Sequence, residues 1–155
     1  MKKNNDPLKM GTLNFTVWPF DLDFNLHVNN GRYLTLMDLG RVHLTALNGI
    51  LWPSIKKGWM PVLGSAKIHF LKPLNLFNRF QIQTQVVYWD EKWIYLEQNF
   101  FHQDKLCATA LVKALFISKK NKIPPETLLH TFYSNITRPD LPDNVKDWIA
   151  CEKRE

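Results

Sequence analysis

The sequence predicts an α+β fold in which a curved antiparallel sheet wraps around one long central helix. Three patterns predict it. Tyr33, Met37, Gly40, Leu44 and Leu47 recur at helical spacing, and Leu36, Leu39, His43 and Ala46 form a second row beside them. Two adjacent apolar rows make a broad surface, so this helix is expected to be largely buried. After residue 59, four segments alternate with period two or are apolar throughout, and short polar turns separate them. A helix apolar on most of its surface needs more cover than a flat sheet gives, so the sheet is expected to curl.

Taken in order, residues 1–11 are expected to be a loose arm. A domain follows over 12–134, and a linker with a short helix over 135–155. In 12–18, TLNFTVW, Leu13, Phe15 and Val17 alternate with polar neighbours, the mark of a half-buried strand. Pro19 stops it, because proline cannot donate to the next ladder bond. Asn29 or Asn30 can cap the long helix, and Asn48-Gly49 can end it. Residues 50–59 read as a connection. In 60–72 Val62, Gly64, Ala66, Ile68 and Phe70 are expected on one strand face, with Leu63, Ser65, Lys67, His69 and Leu71 on the other. In 80–89 Phe80, Ile82, Val86 and Tyr88 oppose Gln81, Gln83 and Gln85. Residues 93–102 and 106–118 supply two more antiparallel strands across the turns 90–92 and 103–105. Pro124-Pro125-Glu126 can start a short helix to about His130, and 143–153 a terminal one with Val145, Trp148 and Ile149 on one face.

The composition bounds the function. With 155 residues, 45% apolar, the chain is long enough for one domain with a real core. The formal charge of +6 is scattered rather than clustered, and neither an aromatic RNA-binding motif nor a helix-turn-helix pattern is present, so a nucleic-acid partner is not expected. Cys107 and Cys151 form neither a metal-ligand spacing nor a disulfide framework. No segment is long and apolar enough to span a bilayer, and Asn4, Asn5, Asp6 and Pro7 replace the apolar run of a signal peptide. A cytoplasmic protein without a metal is the expectation.

Chemistry concentrates in DLDFNLHVNNGRY, Asp21 to Tyr33, which runs straight into the helix. A polar loop at the positive end of a buried helix can hold an oxyanion or polarised carbonyl. Within it the D-x-D-x-N-x-H-V-N-N-x-R-Y string resembles the hotdog-fold thioesterases. It is similar to acyl-CoA thioesterases of the 4-hydroxybenzoyl-CoA thioesterase type and to the D-x-N-x-H segment of plant acyl-ACP thioesterases. YWDEKWIYLEQNFF, residues 88–101, resembles the thioesterase superfamily member six group. The resemblance covers roughly residues 10–130 and implies hydrolysis of an acyl-CoA or acyl-ACP thioester. It also implies a homodimer or homotetramer whose subunits pair edge to edge, with shared active sites. No cofactor is implied beyond the coenzyme A carried by the substrate. The aryl-CoA enzymes have Pro-Ala-Gly after the second acid, whereas Phe24-Asn25-Leu26 stands here, which favours an aliphatic acyl group. The plant enzymes carry a second hotdog unit, and 155 residues hold only one.

On this reading Asp23 is the general base or nucleophile, Asn25 orients water or thioester, and His27 acts as acid or base beside Asp23. Burial near Phe24 and Leu26 would be needed to make Asp23 a useful base. Backbone N–H groups at Asn30, Gly31 and Arg32 are the expected oxyanion hole. Ser65, Lys67 and His69 are a candidate wall for the pantetheine arm, with Lys67, Lys72 and Arg79 available to phosphates. Asp21 is expected to be structural and Tyr33 part of the core. The plainer alternatives are an Asp23 that only accepts backbone N–H bonds, a turn-forming Asn25 and a structural His27. Two other functions fit the same fold: an acyl-CoA hydratase or dehydratase, whose Asp-x-Asn-Pro-(Ile/Leu)-His signature is only partly echoed, and a non-catalytic acyl-thioester-binding protein.

Overall fold

The computed structural model describes residues 6–119 and 121–154. Its strands are β1 (Gly11–Thr16), β2 (Trp59–Phe70), β3 (Arg79–Trp89), β4 (Ile94–His102), β5 (Lys105–Ser118) and β6 (Asn121–Ile123). Its helices are α1 (Asn30–Leu47), α2 (Leu51–Lys56), α3 (Pro125–Phe132) and α4 (Asp143–Glu152). The antiparallel sheet runs β1-β3-β4-β5-β2, and β6 pairs with the end of β5. The sheet curls around α1 as the sequence predicts. Among the described residues no helix is long and apolar enough to cross a membrane.

Inward-facing rows from three strands meet α1. Phe80, Ile82, Thr84 and Trp89 come from β3, Leu96, Gln98 and Phe100 from β4, and Ala108, Ala110 and Val112 from β5, all buried. The helix seats its Tyr33, Leu36, Met37, Gly40 and Leu44 stripe on them. Gly40 lets it come close: a Cβ there would lie 2.7 Å from Thr84 Oγ1 and 2.9 Å from Gln98 Nε2. The expected broad burial of α1 is not found. Leu34, Leu39, Val42 and Leu47 are exposed, because the open sheet covers one stripe of the helix and not its flanks.

Two β-bulges change the predicted strand faces. The bulge at Leu63/Ser65 inserts Gly64. Pro61 and Leu63, opposite Phe116 and Ala114, therefore share the inner face with Ala66, Ile68 and Phe70, while Val62 turns away. Gly64 is required there because the Trp93 ring occupies the space a Cβ would need. The second bulge, between Val86 and Tyr88, sends Tyr88 outward opposite Tyr95 and brings Trp89 into the core.

Other segments are more ordered than expected. Residues 50–59 contain α2, and 121–123 form β6. Of the expected arm, residues 1–5 lie outside the described residues. The rest is tied down: Leu8 packs on the core, and its carbonyl accepts Gln85 Nε2–H at 2.9 Å. The C-terminal α4 packs on the outer face of the sheet through Val145 and Trp148 against Tyr95 and Leu111. Lys113 crosses this seam, paired with Glu152 and 5.0 Å above the Trp93 ring.

Candidate active site

Asp21 organises the loop that carries the motif. It is 6% exposed. Its Oδ2 accepts the Trp18 N–H at 2.8 Å, its Oδ1 accepts Arg32 Nε–H at 2.6 Å, and its carbonyl accepts the Asn29 N–H at 2.8 Å. A buried carboxylate is tolerable only with such partners, and these three join the loop's start, its end and the first turn of α1. Between them the chain folds back at Asp23–His27. The Asp23 N–H donates to His27 O at 2.9 Å, and Leu26 takes a φ of 59°. A branched residue held there costs about 1–2 kcal/mol, and such strain concentrates where a loop has a task. Val28 N–H to Leu74 O, 3.0 Å, stitches the loop to the segment after β2.

These ties create a cleft of about 290 Å³ at the head of α1. Asp23, Asn25, His27 and Asn30 form one side, and Tyr33 with Phe70–Pro73 forms the other. Asp23 is half-buried, and its Oδ1 accepts the Asn25 N–H at 2.9 Å. Oδ2 has no partner among the described residues. The backbone-acceptor reading of Asp23 is thus correct for one oxygen and leaves the other available. Asn29 caps α1, its Oδ1 accepting the Gly31 N–H at 2.8 Å and its carbonyl the Arg32 N–H at 2.9 Å. The Asn30 N–H has no acceptor among the described residues. Burial, with a smaller contribution from Cys107, pushes the Tyr33 hydroxyl up to about 12, so it stays protonated at neutral pH.

The structure brings Asp23, Asn25, His27 and Asn30 together and leaves other predicted site residues outside. The Gly31 and Arg32 amides are occupied by Asn29, and the Arg32 guanidinium is committed to Asp21. These two residues hold the loop rather than the cleft. Ser65, Lys67 and His69 do not line it, because they project from the face of β2 opposite the core. Lys72 does line it, while Arg79 borders a separate basin on the outer side of the sheet. Phe24 and Leu26 do not shield Asp23, since both are exposed in the single chain. No hydrogen bond joins the Asp23 and His27 side chains among the described residues. Sequence reasoning reaches Lys72 in this wall and misses Phe70, Leu71 and Pro73, which read only as the end of a strand.

A second cavity, about 220 Å³, lies further along α1 between the helix, the sheet and α3. Its deep wall includes Trp89, Leu96, Phe116, Leu128 and Leu129, all buried, and its outer wall Val42, Pro61, Val62 and Leu63, all exposed. Trp89 Nε1–H donates to Glu126 Oε1 at 2.9 Å, and Tyr133 O–H donates to Asn48 O at 2.6 Å, which pins α3 across the deep end. At one side Arg41 pairs with Asp38 and donates from Nη1 to Gln98 Oε1 at 2.8 Å. Gln98, 0% exposed, gives its Nε2–H groups to Met37 O and Thr84 Oγ1, each at 3.0 Å. A sequence signal for this seam exists. Thr84 and Gln98 interrupt otherwise apolar inward rows, and Gly40 interrupts the helix stripe facing them.

A long helix held in a curled antiparallel sheet, with a polar cleft at its N-terminus, defines the hotdog class. The family model described as the thioesterase-like superfamily matches residues 17–149, and the chain belongs to that superfamily. A protein of Drosophila melanogaster named Protein THEM6 is 33% identical over 132 residues, covering 83% of this chain and 66% of the relative. The chain thus spans just under two thirds of that relative's length. Thioesterase lcsJ of Purpureocillium lilacinum is 25% identical over 157 residues, covering 84% of this chain and 50% of its own. Among solved structures, SAV2348 of Staphylococcus aureus, determined in complex with CoA, shares the fold. Its TM-score is 0.71 at 17% identity, over 92% of this chain and 96% of that one.

Proposed function

We propose that this chain hydrolyses the thioester of an aliphatic acyl-CoA or acyl-ACP. The observation that carries this reading is the gathering of Asp23, Asn25, His27 and Asn30 around one cleft at the positive end of α1. The carboxylate of Asp23, through its Oδ2, takes a proton from water. The resulting hydroxide attacks the thioester carbon, and the carbonyl oxygen carries the developing charge against the Asn30 N–H. The C–S bond then breaks, and the leaving thiolate takes up the proton held on Asp23, which restores the carboxylate. Asn25 and His27 orient the water and the departing sulfur. Lys72 gives the CoA arm a cationic contact at the rim. The reaction calls on no metal and no cofactor beyond the CoA of the substrate.

The same reading calls for a homodimer. Strand β2 is a long sheet edge with Met60, Val62, Leu63 and Phe70 exposed, a surface that isolated proteins avoid leaving bare. Antiparallel pairing of β2 with its copy is self-complementary, as a two-fold interface must be. It would cover Phe24 and Leu26 and exclude water from the cleft. Thiol release from an acyl-CoA series by wild type and Asp23→Asn, with circular dichroism as a control for folding, tests the proposal. Loss of thiol release in a folded variant supports it, and unchanged turnover removes Asp23 from the mechanism.

A further inference from the structure

We infer that the cavity between α1, the sheet and α3 is the acyl slot of the cleft on the partner subunit, and that its closed end selects medium-length alkyl chains. The inference rests on the hydrolase reading above and adds the substrate's chain-length class and the residues that set it.

Within one chain the cleft and the cavity are separated. The cleft ends at Tyr33, the cavity begins at Asp38, and the core residues Leu36 and Met37 lie between them. A path through the same chain would require unpacking that core. Strand β2 offers the other route. Its Phe70 end borders the cleft, and its Pro61–Leu63 stretch borders the cavity. When β2 pairs antiparallel with a copy of itself, the Phe70 end of one subunit lies beside the Pro61–Leu63 stretch of the other. An acyl chain leaving the cleft then meets the mouth of the partner's cavity.

Burial orients that cavity. Leu63, on the inner face, belongs both to its wall and to the exposed sheet edge, so it opens at the edge. Trp89, Leu128 and Leu129 are buried and form its floor. The floor is fixed, because the Trp89–Glu126 hydrogen bond locks α3 in place. A methylene group needs about as much space as a water molecule. At roughly 30 Å³ each, a cavity of about 220 Å³ holds on the order of seven carbons.

Thiol release measured across acetyl- to palmitoyl-CoA should therefore peak near octanoyl and fall steeply by palmitoyl. Leu128→Ala deepens the floor and should move the peak to longer chains. Leu63→Trp, on the inner face of the exposed edge, narrows the mouth from outside the buried core. It should lower the octanoyl-to-acetyl ratio at least tenfold. A chain-length profile that neither folded variant moves overturns the inference and leaves the hydrolase reading standing. If wild type releases no thiol from any thioester, the hydrolase reading fails on its own. Calorimetric binding of the same acyl-CoAs then decides: an octanoyl optimum shifted by Leu63→Trp supports the slot, and a flat profile overturns it.

Discussion

The two ends of α1 are built on opposite principles. At its head a polar loop is held by backbone and ion-pair ties, open to solvent and with hydrogen-bonding capacity left over. Toward its tail an apolar cavity is closed by buried side chains and a pinned helix. The contrast teaches that one rigid element can separate reactivity from recognition. Charge development needs preorganised dipoles, whereas an alkyl chain needs only a dry space of the right depth. The helix keeps the two apart through the buried Leu36 and Met37 between them.

The largest effect should come from the head. Asp23→Asn removes the proton acceptor and should lower kcat by ~10²–10⁴-fold with an unchanged melting temperature. A comparable loss of stability would make Asp23 a scaffold residue. Asp21→Ala should do the reverse. It strands the Trp18 N–H and Arg32 and should cost about 2–3 kcal/mol in denaturant unfolding. A stability equal to wild type would show that the loop is held by something other than Asp21.

The seam sets the next test. Gly40→Ala forces a methyl against Thr84 and Gln98 and should cost about 1–3 kcal/mol in chemical denaturation. A neutral result would mean that α1 rides higher above the sheet. The smallest effect belongs to the tail. The Trp89 N–H, together with Arg138 and His130, holds the Glu126 carboxyl below its ordinary range. A depressed carboxylate contributes stability above its unfolded pKa and loses it as pH falls through the folded value. The partly exposed Glu126 should thus give a modest drop in melting temperature on acidification, absent in Glu126→Gln. Equal acid sensitivity in both proteins would remove Glu126 as the lock on α3.

Much of this was legible in the sequence, for physical reasons. The helix stripe and the period-two strands are written in side-chain polarity, and Asn29 and Asn48-Gly49 mark the helix ends through local chemistry. The grouping of Asp23, Asn25, His27 and Asn30 follows from their adjacency in the chain. What escaped depends on contacts between distant residues. The bulge at Gly64 is demanded by Trp93, and it reverses the faces of Val62 and Leu63. Gly31 and Arg32 looked like free donors, yet Asn29 and Asp21 occupy them. The exposure of Leu39 and Val42 is likewise invisible to periodicity, which reports that a surface is apolar and not what covers it.

The most direct test of a shared site mixes two crippled subunits. Asp23→Asn spoils the cleft, and Leu63→Trp spoils the slot that serves the other subunit. In a dimer of one Asp23→Asn and one Leu63→Trp subunit, one site carries both lesions and the other carries neither. Random reassortment of the two variants should restore octanoyl-CoA hydrolysis to on the order of a quarter of wild type. Mixed dimers, verified by mass, that hydrolyse octanoyl-CoA no faster than the parent variants would contradict the account.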